Sequence, residues 1–286
     1  MPSLVSLAGR KIVRMNGAGN KILVLDLRGS AGQPTPDDVR AIRRAPGLEY
    51  DQLMTLADPQ TKGTAAYVRI YNNDGTIAGA CGNGTRCVAD RLCRERGTDH
   101  VQIETEAGLI PCERVGASSY RIDMGPPRLH WRRIPLAHEV EDTRRIELSL
   151  PEGAAAALGQ ASAVNMGNPH AVFFVSDLDD LDVPALGARI EVHPMFPAKT
   201  NVAFAKIEGR SEAAARVWER GVGLTLACGS AACATLVAAA RLDLMDRKGT
   251  VRLPGGALTI EWRADDDHVL MTGPVELEGE FVLDGA

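Results

Sequence analysis

The stretches IAGACGNGTRC (77–87) and TLACGSAACA (225–234) decide how this chain is read. Each carries an Ala-Cys-Gly triplet, Ala80-Cys81-Gly82 and Ala227-Cys228-Gly229, directly ahead of a helix-like run. A Gly-Asn pair lies upstream of each: Asn20 is 61 positions before Cys81, and Asn168 is 60 before Cys228. The register also holds in between. Gln52 follows Asn20 by 32 and Asn201 follows Asn168 by 33, while Asn72 and Glu219 each precede their cysteine by nine. Four ordered matches of this kind predict an internal duplication. The expectation is two similar units facing each other across a cleft, with two sulfurs approaching one substrate from opposite sides.

The length agrees with a doubled fold. At 286 residues the chain exceeds the usual size of a single core, so two domains of about 130 residues each are expected. Gly125-Pro126-Pro127 breaks the strand pattern and marks the boundary. The division expected is 1–126, joined by a C-terminal strand in 274–286, against 127–273. Hydrophobic content of 45% and charged content of 24% are ordinary for a globular protein. The formal charge of −5 is spread along the chain without a basic block, which argues against a nucleic-acid partner and for a small molecule.

Met1 to Gly9 is too short an apolar run before Arg10 and Lys11 to be a signal peptide, so the cytoplasm is expected. Gly221 to Ala240 runs 20 positions without a charge, the length of a membrane span. It is mostly Ala, Gly, Ser, Thr and Cys, however, and reads as a loop followed by a buried central helix. The six cysteines (Cys81, Cys87, Cys93, Cys112, Cys228, Cys233) include no Cys-x-x-Cys pair and form neither a disulfide framework nor a zinc site. No metal is expected.

Lys21 to Leu27 reads as a buried strand. Thr35-Pro36-Asp37-Asp38 opens a helix, with Thr35 as N-cap and Asp38 as its acidic partner. Strands are predicted at 67–71, 101–105, 108–114 and 120–124, with Asn73-Asp74-Gly75 as a turn. A helix is predicted over Gly84 to Arg96, closed by Gly97. The second half repeats the scheme, with strands near 171–175, 201–207 and 216–219, then a helix over Ser230 to Leu242. A hairpin over 251–262 and closing strands at 269–273 and 279–283 follow. Many strands around one long helix, twice over, predict an α+β fold rather than a doubly wound parallel sheet. Gly17-Ala18-Gly19 precedes a strand, and Gly82-Asn83-Gly84 lacks a third glycine, so neither is a dinucleotide loop.

A cysteine just ahead of a helix N-terminus gains from the unpaired N–H groups and the dipole. Both favour the thiolate, lowering the pKa from about 8.5 toward neutrality. The same N–H groups, at Gly82, Asn83, Gly229 and Ser230, offer a carboxylate site. A carboxylate held between two such ends sets the α-carbon between a base and an acid. Removing a proton on one face and returning one on the other inverts the centre, so racemisation or epimerisation is the expected reaction, with no pyridoxal lysine required. One sulfur must be thiolate and the other thiol, and the pair should titrate as a coupled unit.

The strings MNGAGNKILVLD (15–26), YDQ (50–52), NNDGTIAGACGNGTRC (72–87), MGNPHAV (166–172), NVAF (201–204) and WERGVGLTLACGSAACA (218–234) closely resemble those of the diaminopimelate epimerase family. The resemblance spans nearly the whole chain. It implies two pseudo-symmetric α+β domains, each a curved, mostly antiparallel sheet around a central helix, with the active site in the cleft between them. It also implies cofactor-independent conversion of LL- to meso-diaminopimelate for lysine and peptidoglycan precursors, in the cytoplasm, by a homodimer. Carried over by position, Cys81 and Cys228 are the acid/base pair, and Gly82, Asn83, Gly229 and Ser230 form the backbone that binds the carboxylate. Asn20, Gln52, Asn72, Asn168, Asn201, Glu219 and Arg220 hold the rest of the substrate, and His170 and Glu219 tune the cysteines. Asn16, Lys21, Leu224 and Ala231 depart from the family's commonest pattern, none at a first-rank catalytic position.

Plainer readings stand beside these. Cys87, Cys93, Cys112 and Cys233 are expected to be buried and inert. On the residues alone His170 serves equally as a turn cap, and His100, His130, His138, His193 and His268 have no ligand spacing. Three other functions compete. A proline- or hydroxyproline-type racemase has no need of Arg220 and the asparagines. A thiol redox protein would work through a disulfide that should silence an epimerase. A binding module would hold the ligand without exchanging its α-hydrogen.

Overall fold

The computed structural model describes residues 7–30, 32–150 and 158–283. Most of the Met1–Gly9 stretch and the last three residues of the segment 274–286 lie outside the described residues. The chain divides into two compact units, 1–123 with 272–286, and 124–271.

In the first unit the elements run β1 (Lys11–Gly17), β2 (Asn20–Asp26), α1 (Pro36–Arg44), β3 (Gln52–Ala57), β4 (Ala66–Asn72), α2 (Gly82–Arg96), β5 (His100–Thr105), β6 (Gly108–Gly116) and β7 (Ser119–Asp123). In the second they run β8 (Ser162–Asn165), β9 (Pro169–Phe174), α3 (Val183–Glu191), β10 (Asn201–Gly209), β11 (Glu212–Glu219), β12 (Gly223–Thr225), α4 (Gly229–Arg241), β13 (Lys248–Leu253) and β14 (Gly256–Trp262), and β15 (Val269–Pro274) runs from the second unit into the first. The last strand, β16 (Glu276–Val282), returns to the first unit and pairs antiparallel with β1.

Apart from the short β12, which pairs with β11, the two units repeat one scheme. The β2–β3 and β4–β5 pairings are parallel, as are β9–β10 and β11–β13, and β1–β2, β3–β4 and β5–β6 are antiparallel, as are β8–β9, β10–β11 and β13–β14. The register repeats as well. Gln52 pairs with Ile22 on one side and Asn72 on the other. Asn201 pairs with His170, and the Val202–Trp218 pairing sets Asn201 opposite Glu219. Gln52 and Asn201 thus take one place in the repeat, and Asn72 and Glu219 another.

The strands of each unit curve around a central helix. Helix α2 packs on β1, β2, β3, β5, β6 and β7, and α4 packs on β8, β9, β10, β11, β13 and β14. A helix enclosed on all sides has no polar face, which is why α4 carries no charge before Arg241. Its alanines at 231, 232, 234, 238 and 239 are buried and let the strands close around it. With only 13 residues it is short of a bilayer's ~20, and among the described residues no helix is long and apolar enough to cross a membrane.

The outer face of each unit's strands is covered by its remaining helix. Val39 and Ile42 of α1 pack with Leu23, Leu25 and Leu53, and Val183 and Ile190 of α3 pack with Phe173, Val202 and Phe204. Helix α1 begins with the predicted capping box, Thr35 and Asp38 bonded reciprocally, a feature worth about 1 kcal/mol. Ala18-Gly19 forms a two-residue hairpin turn between β1 and β2, both residues at positive φ. The α+β architecture with one central helix per unit is as the sequence predicts. Helix α3 and strands β1, β3, β8 and β12 are additions to it.

Candidate active site

Helix α2 starts at Gly82, two residues earlier than predicted, so Cys81 is itself the N-cap. Its Sγ accepts a hydrogen bond from the Gly84 N–H at 3.2 Å. The thiol donates to Gln52 Oε1 at 2.8 Å, and that oxygen also accepts from Asn20 Nδ2 at 3.3 Å. Asn20, Gln52 and Cys81 therefore form one chain of contacts, built from the first residues of β2 and β3 and the cap of α2. Asn72 ends β4 beside Gln52, and its side chain donates to Thr76 Oγ1 at 3.0 Å.

Packing explains the glycines. A Cβ on Gly84 would lie 2.6 Å from Met54 Sδ and 3.2 Å from Cys81 Sγ, and one on Gly17 would lie 2.9 Å from the Asn83 carbonyl oxygen. Asn83 is buried in the first turn of α2, and its Oδ1 accepts from Arg86, whose guanidinium is fully enclosed. A buried cation at this end of the helix adds to the anion preference of the free N–H groups.

In the second unit Cys228 is the N-cap of α4, and Gly229 and Ser230 are the helix's first residues. Ser230 Oγ lies 3.5 Å from Cys228 Sγ. Glu219 ends β11 and accepts from Thr225 Oγ1 at 2.6 Å. Asn201 donates to the Pro169 carbonyl at 3.0 Å, and its Oδ1 accepts from the Arg220 N–H at 2.9 Å. His170 is fully buried on β9, with Nε2 2.8 Å from Asn168 Oδ1. Burial, followed by the Arg220 charge, pushes its pKa down to about 3, so the imidazole is neutral.

The cysteine chemistry needs one correction. A helix N-terminus is expected to favour the thiolate, yet Cys228 titrates well above the ordinary thiol range. Burial is the largest cause and the Glu219 carboxylate the next; the Ser230 hydroxyl and the Ala231 N–H pull only part of the way back. Desolvation outweighs the dipole, and Cys228 is a thiol. Cys81 is partly exposed, whereas Cys87, Cys93, Cys112 and Cys233 are buried. Burial pushes the thiols of Cys87, Cys93 and Cys112 up.

The structure thus gathers Asn20, Gln52, Asn72, Cys81, Gly82 and Asn83 in one unit and Asn168, His170, Asn201, Glu219, Arg220, Cys228, Gly229 and Ser230 in the other. Side chains bonded to these groups that sequence reasoning does not single out include Thr76 on Asn72, Thr85 on the Cys81 carbonyl, Arg86 on Asn83 and Thr225 on Glu219. Each sits within a few residues of a motif cysteine, which is the one signal that marks them. Among the described residues no group of three or more His, Cys, Asp or Glu side chains is arranged to hold a metal ion.

The architecture belongs to a known class of two-unit folds. It matches a hydroxyproline epimerase from Agrobacterium vitis with a TM-score of 0.66 at 16% identity, over 96% of this chain and 93% of that one. A phenazine biosynthesis protein of the PhzF family from Enterococcus faecalis matches with a TM-score of 0.64 at 16% identity, over 95% and 97%. Within that class, the model of the diaminopimelate epimerase family matches residues 12–130 and 162–278. Relatives named diaminopimelate epimerase include one from Methylorubrum extorquens, 53% identical over 96% of this chain and 95% of its own. Another, from Afipia carboxidovorans, is 51% identical over 97% and 96%. The chain belongs to the diaminopimelate epimerase family.

Proposed function

We propose that this protein interconverts LL- and meso-diaminopimelate by a two-cysteine, cofactor-independent mechanism, serving lysine and peptidoglycan precursor synthesis. The observation that carries the reading is the repeat itself: each unit presents a cysteine as the N-cap of its central helix, at matched positions in one duplicated scheme. The substrate's reacting carboxylate binds the first N–H groups of the two helices, at Gly82 and Asn83 and at Gly229 and Ser230. Residues 1–126 with 274–286 form one epimerase domain and 127–273 the other, each carrying one of the two cysteines.

In one direction Cys81, after losing its proton to solvent at the partly exposed sulfur, removes the α-proton as thiolate while the Cys228 thiol protonates the opposite face; the reverse reaction exchanges the roles. The N–H groups that hold the carboxylate also stabilise the carbanion-like transition state. Asymmetry between the two sulfurs follows from the repeat. Neutral Asn72 stands where the other unit has Glu219, the carboxylate that keeps Cys228 protonated. Asn20, Gln52, Asn72, Asn168, Asn201 and Arg220 bind the remainder of the substrate, including its second amino-acid head group. Neutral His170 and anionic Glu219 set the protonation of the site. A cytoplasmic location and assembly as a homodimer belong to the same reading, supported by the family resemblance.

The test is incubation of the reduced protein with LL-diaminopimelate, without added pyridoxal phosphate, followed by chiral chromatography. The meso form is expected, and oxidation of the thiols should abolish its appearance. Absence of meso product from folded, reduced protein would overturn the assignment, and activity that survives oxidation would contradict the role of free thiols.

A further inference from the structure

We propose that Glu191 is a positioning residue for this site, its buried carboxylate gripping the chain on both sides of Glu219 and Arg220. The inference rests on the epimerase reading for the roles of those two residues. Glu191 ends helix α3 and is 7% exposed. One oxygen accepts from Trp218 Nε1 at 2.7 Å, and the other from the Gly221 N–H at 3.0 Å. A single side chain therefore spans Trp218 to Gly221, with Glu219 and Arg220 in between.

Further contacts tie the same carboxyl-terminal end of α3 to the turn that backs Arg220. The Thr200 N–H donates to the Glu191 carbonyl at 3.1 Å, and Lys199 Nζ lies 3.7 Å from Oε1. Lys199 holds a left-handed backbone with φ 58°, which a lysine adopts only where its surroundings fix it. Arg220 Nη1 in turn donates to the Ala198 carbonyl at 3.1 Å. The arginine is thus anchored on one side by the 196–200 turn and on the other by the Glu191 grip.

The chemistry requires a carboxylate. Both donors are N–H groups with nothing to accept, so the side chain between them must offer two acceptor atoms. A glutamine has one carbonyl oxygen, and its NH2 would face either the indole N–H or the Gly221 N–H, donor against donor. Loss of the grip frees the 218–221 segment to shift, and displacement of a substrate-holding group by about 1 Å costs on the order of a hundredfold in rate.

The test compares the parent with Glu191→Gln, Glu191→Ala and Trp218→Phe, which removes one of the two donors and keeps an aromatic ring. KM for LL-diaminopimelate should rise about tenfold in E191Q, further in E191A and least in W218F, with kcat falling by a smaller factor. Hydrogen exchange supplies a readout independent of turnover: amides of 219–221 should exchange at least several-fold faster in E191Q, with the α4 amides unchanged. KM and exchange both at parent values in folded E191Q would overturn the inference. So would an activity loss that tracks the unfolded fraction with KM unchanged, since that is what a purely structural role produces. A parent protein without turnover sinks the epimerase reading instead, and the exchange measurement then decides for or against the grip.

Discussion

The carboxylate of Glu219 bears on the thiol of Cys228 and, together with burial, holds it protonated. Removing that charge should therefore make the sulfur more acidic. In Glu219→Gln, alkylation of Cys228 by iodoacetamide is expected to run faster than in the parent at any pH below the thiol's titration. Partly exposed Cys81 should label before Cys228 in the parent. An unchanged pH profile for Cys228 would mean that burial alone sets its protonation.

His170 makes stability depend on pH. Its folded pKa lies near 3, below the unfolded value of about 6.5. As pH falls through 6.5 the unfolded chain takes up a proton that the native state refuses, so stability drops. The expected slope approaches 1.4 kcal/mol per pH unit between about pH 6 and pH 4.5. Carboxylates such as Asp26 and Glu95, held low by Arg28, lose their contribution in the same direction but at lower pH. Urea unfolding of the parent and of His170→Gln across this window should show the slope flattening in the variant. Parallel slopes would contradict the buried neutral imidazole.

Gly187 is the contact point of α3 on the strand that carries Glu219. A Cβ there would lie 2.5 Å from both Cβ and Cγ of Trp218, atoms too near the backbone to swing aside. Gly187→Ala should cost about 1–3 kcal/mol through overpacking, despite the better helix propensity of alanine. Thermal unfolding checks this, and a stabilised variant would show that the packing is looser than described.

Much of the architecture is legible because duplication leaves its register in the sequence. The spacing from Asn20 to Gln52 and from Asn168 to Asn201 is the spacing of two equivalent strand starts, and the structure pairs them alike. The Thr35 capping box and Gly97, left-handed at φ 63°, are local signals that need no tertiary context. Helix α3 is obscured by Gly187, a poor helix former at mid-helix, although Asp182 caps it by accepting from the Ala185 N–H at 3.0 Å and Pro184 falls in its first turn, where proline is tolerated. Strand β1 alternates apolar Val13 and Met15 with polar Arg14 and Asn16, the signature of a half-buried strand, which sequence reasoning passes over. At the site, cysteine and glycine spacing marks the helix caps. The state of Cys228 is not legible, because it depends on burial that only the folded chain creates. The Glu191 grip is equally hidden, since it joins residues 27 and 30 positions apart.

The most direct test of two opposed sulfurs is solvent-hydrogen exchange in heavy water with LL-diaminopimelate, followed by mass spectrometry and chiral analysis. The parent should place deuterium at one α-carbon and yield the meso form. Cys81→Ala and Cys228→Ala, both folded, should each lose about two orders of magnitude or more in that turnover. Epimerisation at the parent's rate in either variant would contradict the two-base account.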